Sequence, residues 1–210
     1  MMRIDSIAER PDRAGRHMVR FSDGSVMRLY PRTVEDFGLY VGMELDEERI
    51  AALREAAGSM SAKMRAVRIV AASNVSKADL QERLIRKGES PKQAREAVAW
   101  MADLSFVDDE KTARQIVEQC VRKGYGIARA KQMLYEKRIP KEYWESALED
   151  YPEQRDHIVD FLRSRLKGEW DERDLKRAVD ALLRRGHSYS VIRKALEDLK
   201  VDAEDIQEDS

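Results

Sequence analysis

A five-residue pattern that occurs three times constrains the fold more than any other feature of the sequence. Residues 84–88 read LIRKG, residues 134–138 read LYEKR and residues 182–186 read LLRRG, so the copies begin 50 and 48 residues apart. An apolar residue stands ten positions after the end of each copy: Val98, Leu148 and Leu196. Similarity within one chain at a nearly constant period indicates tandem repeats of one supersecondary unit.

Each copy predicts three helices, because apolar residues recur at helical spacing before, within and after the pattern. The middle helix ends at the pattern, and a short loop leads to the third helix, which in the first copy starts at Ser90-Pro91. Three short helices cannot bury all of their apolar surface alone, so neighbouring copies stack. We therefore predict a mainly α protein whose tandem three-helix repeats form an elongated curved body.

The first sixty residues differ from the repeats, since they contain strand signals. Residues 17–21 and 26–30 alternate apolar with polar side chains, and Asp23-Gly24 lies between them. An Asp-Gly pair between alternating runs is the strongest short-range signal of a β-hairpin. Pro31 is expected to end the second strand, and Thr33 to cap a short helix. A second helix is expected to start at Asp46 and to close at Gly58-Ser59.

These features divide the chain into five predicted segments. The predicted order is a hairpin-and-helix module, three helical repeats and an acidic tail: 1–60, 61–108, 109–151, 152–201 and 202–210.

Charge is nearly balanced over the whole chain but uneven along it. The formal net charge is −1, from 39 Lys and Arg against 40 Asp and Glu, which argues against simple bulk adsorption to nucleic acid. Residues 61–100 have a net charge of +5, and residues 197–210 have a net charge of −6. The sequence therefore predicts a basic middle and an acidic end.

Cellular location is suggested by one cysteine and by the lack of long apolar runs. Cys120 cannot form an intramolecular disulfide, which fits a reducing compartment. No signal-peptide core is present, and no apolar run reaches the ~20 residues that span a bilayer. We expect a cytoplasmic monomer without membrane contact.

No catalytic or metal-binding constellation is visible in the sequence. The three histidines (His17, His157 and His187) are scattered, without a second ligand at metal-binding spacing. Cys120 lies on an apolar helical stripe, where a small buried side chain is expected rather than a nucleophile. We therefore predict a protein that is not an enzyme and needs no cofactor or metal.

Aromatic residues mostly fall within the predicted helical stripes. Three tryptophans are expected to anchor the cores: Trp100, Trp144 and Trp170. Tyr125 and Tyr189 fall at predicted loops, where they either pack locally or stack on a base or a partner.

Basic pairs near the end of each middle helix are the strongest candidates for partner binding. Cations there are stabilised by the helix dipole by ~0.3–1 kcal/mol, so a purely structural role remains open. The alternative is a row of positive charge that meets phosphates or an acidic groove. The three pairs are Arg86-Lys87, Lys137-Arg138 and Arg184-Arg185. Four cations near them complete the set of candidates: Arg122, Lys123, Arg129 and Lys131. Glu136 weakens this row in the second repeat.

The order of several short motifs resembles the RecX family of regulatory proteins. These motifs are residues 106–114 (FVDDEKTAR) and residues 122–126 (RKGYG), preceded by the stretch 80–88 and by GMEL at 42–45. Such a resemblance implies a three-repeat helical protein that binds the RecA–DNA filament and inhibits its ATPase and strand exchange. It also implies that there are no catalytic residues and no required cofactor.

Two positions depart from the usual pattern of that family. Ser105 and Arg138 stand where its members usually have glycine, which closes a helix in the left-handed conformation. Either Arg138 adopts that conformation or the turn closes differently.

Two other functions remain open at this level. One is a DNA-binding module that acts without RecA, because three-helix units can imitate helix-turn-helix folds and residues 61–100 are basic. The other is a helical scaffold for an unrelated partner.

Overall fold

The computed structural model describes the backbone of residues 1–168 and 170–208, with side chains as far as residue 199. The chain divides into two compact units, Met1–Val107 and Asp108–Ser210. The first unit combines a small antiparallel sheet with helices, and the second contains helices and no strand among its described residues. The predicted fold class, mainly α with a small N-terminal β module, is confirmed.

The first unit contains a four-stranded antiparallel sheet with the order β3-β2-β1-β4. Its strands and helices are β1 (Met2–Ile7), β2 (His17–Phe21), β3 (Val26–Leu29), α1 (Pro31–Asp36), β4 (Glu44–Leu45), α2 (Glu47–Ala72), α3 (Lys77–Arg86) and α4 (Pro91–Asp103). The predicted hairpin is β2 and β3, with Arg20 opposite Val26 at the turn. Strands β1 and β4 were not predicted. In β1 only Ile4 is fully buried, and the two residues of β4 are too few to show alternation.

Helix starts in the first unit agree in part with the sequence. Asp46 caps α2, since its side chain accepts a hydrogen bond from the Arg49 amide at 2.7 Å. The predicted cap at Thr33 is wrong, because α1 begins two residues earlier with Pro31 in its first turn. Pro fits there because its missing N–H would have had no helical partner. Thr33 is instead a buried residue inside α1.

Helix α2 is continuous across Gly58-Ser59, so the predicted helix end at this point is wrong. Its second half buries small and apolar residues in the core of the first repeat: Ala62, Ala66 and Ile69. That burial offsets the ~1 kcal/mol that a glycine costs inside a helix. Gly58 also permits a close approach, since a Cβ there would lie 2.0 Å from Nε2 of Gln93 on α4. The proposed boundary at 60/61 thus falls inside one helix.

The second unit continues the helical pattern. Its helices are α5 (Asp109–Arg122), α6 (Ile127–Glu136), a 3-10 turn (Lys141–Tyr143), α7 (Trp144–Leu148), α8 (Arg155–Arg165), α9 (Glu172–Arg184) and α10 (Tyr189–Glu208). One apolar core joins α5, α6 and α7, and another joins α8, α9 and α10. Of the predicted tail at 202–210, the backbone through residue 208 belongs to α10, and its side chains lie outside the described residues.

The repeated sequence pattern forms the same turn three times. After α3, α6 and α9, the residue that leaves the helix has a positive φ: 93° at Gly88, 55° at Arg138 and 86° at Gly186. The amide of the next residue then bonds back to a buried leucine carbonyl (Glu89 to Leu84, Ile139 to Leu134, His187 to Leu182) at 3.0–3.2 Å. This is the Schellman closure of a helix.

The two departures from glycine are accommodated without changing the turns. Arg138 and Ser105 adopt φ values of 55° and 59°, in the left-handed region. The Phe106 amide bonds to the Met101 carbonyl at 2.9 Å, so α4 closes as the middle helices do. Both residues therefore accept a local strain of ~1–2 kcal/mol.

Two of the three predicted tryptophan anchors lie against cores. Trp100 packs on the core of the first repeat, and Trp144 packs on that of the second. The prediction for Trp170 is wrong, since its side chain is exposed. It lies in the connection before α9, where no helical stripe includes it.

Candidate partner-binding surface

The cation that the three middle helices share is their C-cap residue. Lys87, Lys137 and Arg185 each follow the last residue of the helix. Arg86 and Arg184 are the last helical residues before them, with Glu136 at the equivalent place in α6. Arg138 is therefore the left-handed residue of its turn and has no cationic counterpart in the other two turns.

Arg86 and Lys87 are exposed at the end of α3, beside a cleft of about 470 Å³. We call it the first-unit cleft; four cations line it: Arg65, Arg68, Arg83 and Lys87. Its three arginines are bound within the unit. Arg65 pairs with Glu89 at 2.9 Å, Arg83 pairs with Asp79 at 2.9 Å, and Arg68 donates to the Tyr30 hydroxyl at 2.6 Å.

In the second unit, the loop between α5 and α6 lies directly on the turn after α9. The Gly126 amide donates to the Arg185 carbonyl at 2.9 Å. A Cβ at Gly126 would lie 2.0 Å from the Gly186 carbonyl oxygen, and a Cβ at Gly186 would lie 2.3 Å from the Arg129 amide nitrogen. Only glycine at both positions permits this backbone contact between repeats.

Buried polar groups strengthen the same junction. Nε2 of His187 lies 3.0 Å from the Gly124 carbonyl oxygen, which accepts the hydrogen bond. The Tyr151 hydroxyl donates to the Tyr125 carbonyl at 2.7 Å, and Nε2 of Gln154 donates to the Val121 carbonyl at 3.2 Å. Burial lowers the pKa of His187 and raises the pKa of Tyr151 to about 12. Both side chains are therefore neutral at physiological pH.

This junction gathers arginines around two aromatic rings in a cleft of about 400 Å³. We call it the second-unit cleft; the lining residues used below are Tyr125, Arg129, Phe161, Arg165, Arg184 and Arg185. The Arg185 guanidinium lies 5.6 Å from the centre of the Tyr125 ring and 5.2 Å from that of Phe161. The Arg165 guanidinium lies 5.4 Å from the centre of the Phe161 ring.

The structure thus brings together three of the ten predicted site residues, Arg129, Arg184 and Arg185. Arg122, Lys123 and Lys131 are exposed on α5, its C-cap and α6, and they do not line this cleft. Arg138 lines a different cleft of about 610 Å³ with Glu136 and Trp144. Lys137, at the C-cap of α6, lines neither cleft.

Sequence reasoning missed Phe161 and Arg165. They lie four residues apart on α8, a spacing that places two side chains on one face of a helix. The proximity of that face to Arg185 depends on how α8 packs against α9, which local spacing does not reveal.

The part of the chain that the structure describes holds neither a metal-binding cluster nor an exposed thiol. There, no group of three or more His, Cys, Asp or Glu side chains is placed to hold a metal ion. Cys120 is fully buried, and burial raises the pKa of its thiol, so it is a core side chain as predicted. Across residues 1–168 and 170–208, no helix has the length and apolarity that a membrane crossing requires.

Comparison with known proteins points to one family. Residues 108–148 match the family model for the second three-helix domain of RecX. Two proteins named "Regulatory protein RecX", from Vibrio campbellii and Vibrio parahaemolyticus, are each 26% identical over 143 residues, which is 67% of this chain and 92% of theirs.

Solved structures agree at the level of the fold. A crystal structure of regulatory protein RecX has a TM-score of 0.65 at 20% identity and covers 94% of this chain and 100% of that one. RecX from Lactobacillus salivarius has a TM-score of 0.59 at 18% identity, over 70% of this chain and 99% of its own. The resemblance seen in the sequence is confirmed: the chain is similar to RecX regulatory proteins, in sequence and in fold.

Proposed function

We propose that this protein binds RecA nucleoprotein filaments and inhibits their ATPase, recombinase and strand-exchange activities, thereby modulating DNA repair and recombination. The relation to RecX regulatory proteins, which extends through the second three-helix domain and the fold of most of the chain, is the observation that supports it. The place of action would be the cytoplasm, and the chain would act as a monomer without a cofactor.

Exposed cations supply a means of docking. Arg122, Lys123 and Lys131 project from consecutive helices of the second repeat. Complementary charge across an interface increases the association rate and sets the register of docking more than the affinity. An acidic groove or a phosphate backbone in the filament would suit these side chains.

Inhibition would follow from bridging rather than from chemistry. A protein that contacts more than one RecA protomer resists the domain movements that accompany ATP hydrolysis. The proposed effect is therefore a stoichiometric loss of hydrolysis, which requires no catalytic residue.

The direct test is RecA ATPase on single-stranded DNA, with this protein titrated into the reaction. We expect hydrolysis to fall to a plateau as the filament saturates. A variant with Arg122→Glu, Lys123→Glu, Arg129→Glu and Lys131→Glu should weaken binding and keep its helical circular dichroism. A matched control replaces four other exposed cations with Glu: Lys111, Arg173, Lys176 and Lys194.

Unchanged hydrolysis at saturating protein would refute the proposal. Equal losses in the variant and the control would show that total charge matters rather than this surface. A gel shift with bare DNA, with and without RecA, tests the alternative. Tight and steeply salt-dependent binding to bare DNA, with no effect on RecA, would favour a DNA-binding module that acts alone.

A further inference from the structure

The second-unit cleft differs from an ordinary charged surface because three of its four arginines have no carboxylate partner among the described residues. Among the described residues, Arg165, Arg184 and Arg185 make no ion pair, whereas Arg129 has a long one with Glu136 at 3.4 Å. Four arginines line this cleft of about 400 Å³, and an anion bound there would reduce the repulsion between their like charges. This arrangement favours a bound anion.

Two of these guanidinium groups are fixed in place by aromatic rings. Arg185 lies over both Tyr125 and Phe161, and Arg165 also lies over Phe161. Stacking restrains the planar group while leaving its N–H edge free to bond. An arginine that is ordered before binding loses less entropy when it receives a ligand. Arg185 is also held by its backbone, since its carbonyl accepts from Gly126.

The chemistry of the cleft fits phosphate better than carboxylate. A guanidinium fork binds either anion with two parallel hydrogen bonds, but a phosphate offers more oxygens and can satisfy several forks together. Among the described residues that line the cleft there is no acidic side chain, and Glu136 lies near it only through its ion pair with Arg129. An anion with three or more acceptor oxygens would engage Arg165, Arg184 and Arg185 together.

We propose that the second-unit cleft is a phosphate-binding site, with Arg185 as its anchor and Arg165 and Arg184 as its outer contacts. The phosphate comes either from the backbone of a single-stranded nucleic acid or from a free phosphate compound. A single strand is favoured over a duplex, because its flexible backbone can follow a concave basic site. The proposal does not depend on RecA, so it is tested without RecA.

The experiment measures binding to the full-length chain by fluorescence anisotropy of a labelled oligothymidylate, and by calorimetry with pyrophosphate. We compare the wild type with Arg165→Ala/Arg184→Ala, whose side chains are both exposed. The matched control is Lys111→Ala/Lys194→Ala, which removes the same charge from exposed positions outside the cleft. Circular dichroism checks that all variants keep their helices.

The cleft variant should lose about tenfold in affinity, which corresponds to two weakened charge-assisted contacts. Its slope of log affinity against log salt should fall by about 1.4, at ~0.7 per strand phosphate released. Arg185→Lys keeps the charge but loses the stacked fork, so it should also weaken binding. The control should change affinity less than threefold, about 0.6 kcal/mol.

The binding results identify the source of the phosphate or overturn the proposed site. Binding of the oligonucleotide assigns the phosphate to a strand, and binding of pyrophosphate alone assigns it to a free compound. The proposal is overturned if neither probe binds the wild type, or if the cleft variant and the control lose equally. It is also overturned if polyglutamate competes as well as pyrophosphate does, since the site would then prefer an acidic protein.

Discussion

Four cations line each of the two clefts, but the side chains that contact these cations differ between the clefts. In the first-unit cleft, Glu89 and Asp79 pair with arginines, and a tyrosine hydroxyl accepts from a third. In the second-unit cleft, the neighbours of the arginines are mainly aromatic rings, which orient a guanidinium without neutralising it. A count of basic residues cannot distinguish a structural cluster from a binding site, whereas the identity of the partner side chains can.

Much of the difference between the two clefts follows from the residue directly after the left-handed residue of each helix-closing turn. In the three turns it is Glu89, Ile139 and His187, and all three are buried. Glu89 points back to the first helix of its own repeat, where it accepts from Ser61 at 3.1 Å and pairs with Arg65. Ile139 joins the core, and His187 bonds to the preceding repeat. One turn geometry therefore supports three different contacts.

The largest expected effect is on unfolding free energy, when alanine replaces the left-handed glycine of the first or the third turn. Gly88→Ala adds a Cβ with no atom within 4 Å, so only the left-handed strain of ~1–2 kcal/mol is expected. Gly186→Ala adds a similar strain and also places its Cβ 2.3 Å from the Arg129 amide nitrogen. We expect about 3 kcal/mol or more of lost unfolding free energy there.

Urea unfolding monitored by circular dichroism measures both losses, and Gly88→Ala serves as the matched control for Gly186→Ala. Equal losses in the two variants would contradict the close backbone contact between the loop at Gly126 and the turn at Gly186.

A second change should make the first-unit cleft resemble the other one. Glu89→Gln removes the charge that pairs with Arg65, and the side chain of Glu89 is only 7% exposed. We expect a loss of about 1–2 kcal/mol in unfolding free energy, since the amide can keep the bond from Ser61. The freed Arg65 should also give the first-unit cleft a measurable affinity for pyrophosphate.

Calorimetry with pyrophosphate measures the affinity that Glu89→Gln gives to the first-unit cleft. The variant also carries Arg165→Ala/Arg184→Ala, which weakens binding by the second-unit cleft. If no heat appears while the variant remains folded, the internal ion pair is not what separates the two clefts.

The sequence predicted the elements that depend on local signals. Asp23-Gly24 predicted the hairpin, and the spacing of Leu84, Leu134 and Leu182 predicted three equivalent middle helices, in which these leucines are 0–1% exposed. Local sequence signals gave wrong predictions where tertiary packing determines the ends of a helix. Gly58 reads as a helix end, yet the burial of the following alanines extends α2 past it.

The candidate site was predictable only in its residue types. The C-cap cations were visible because they follow a repeated leucine. Their different partners were not, since Glu89 meets Arg65 across 24 positions of sequence and Arg185 meets Tyr125 across 60. Only the packing of helices against one another determines such contacts.

The smallest expected effect concerns His187 and the pH dependence of stability. The pKa of His187 is lowered from its ordinary value of 6.5, mainly by burial and further by the nearby charges of Arg185 and His157. The hydrogen bond to the Gly124 carbonyl raises this pKa, but offsets the lowering only in part. The unfolded chain therefore binds a proton at a higher pH than the folded chain does. Stability from this group is complete above about pH 6.5 and is lost as the pH falls through the lower folded pKa.

Unfolding free energies between pH 7 and pH 5 should show this loss as a slope no steeper than about 1.4 kcal/mol per pH unit. In His187→Gln, the amide can still donate to Gly124 but does not titrate, so this part of the slope should disappear. Carboxylates contribute equally to both proteins, so the difference between their slopes isolates His187. Parallel pH profiles would mean that His187 binds its proton equally well in the folded and unfolded chains, so that the junction between the two repeats tolerates a buried imidazolium.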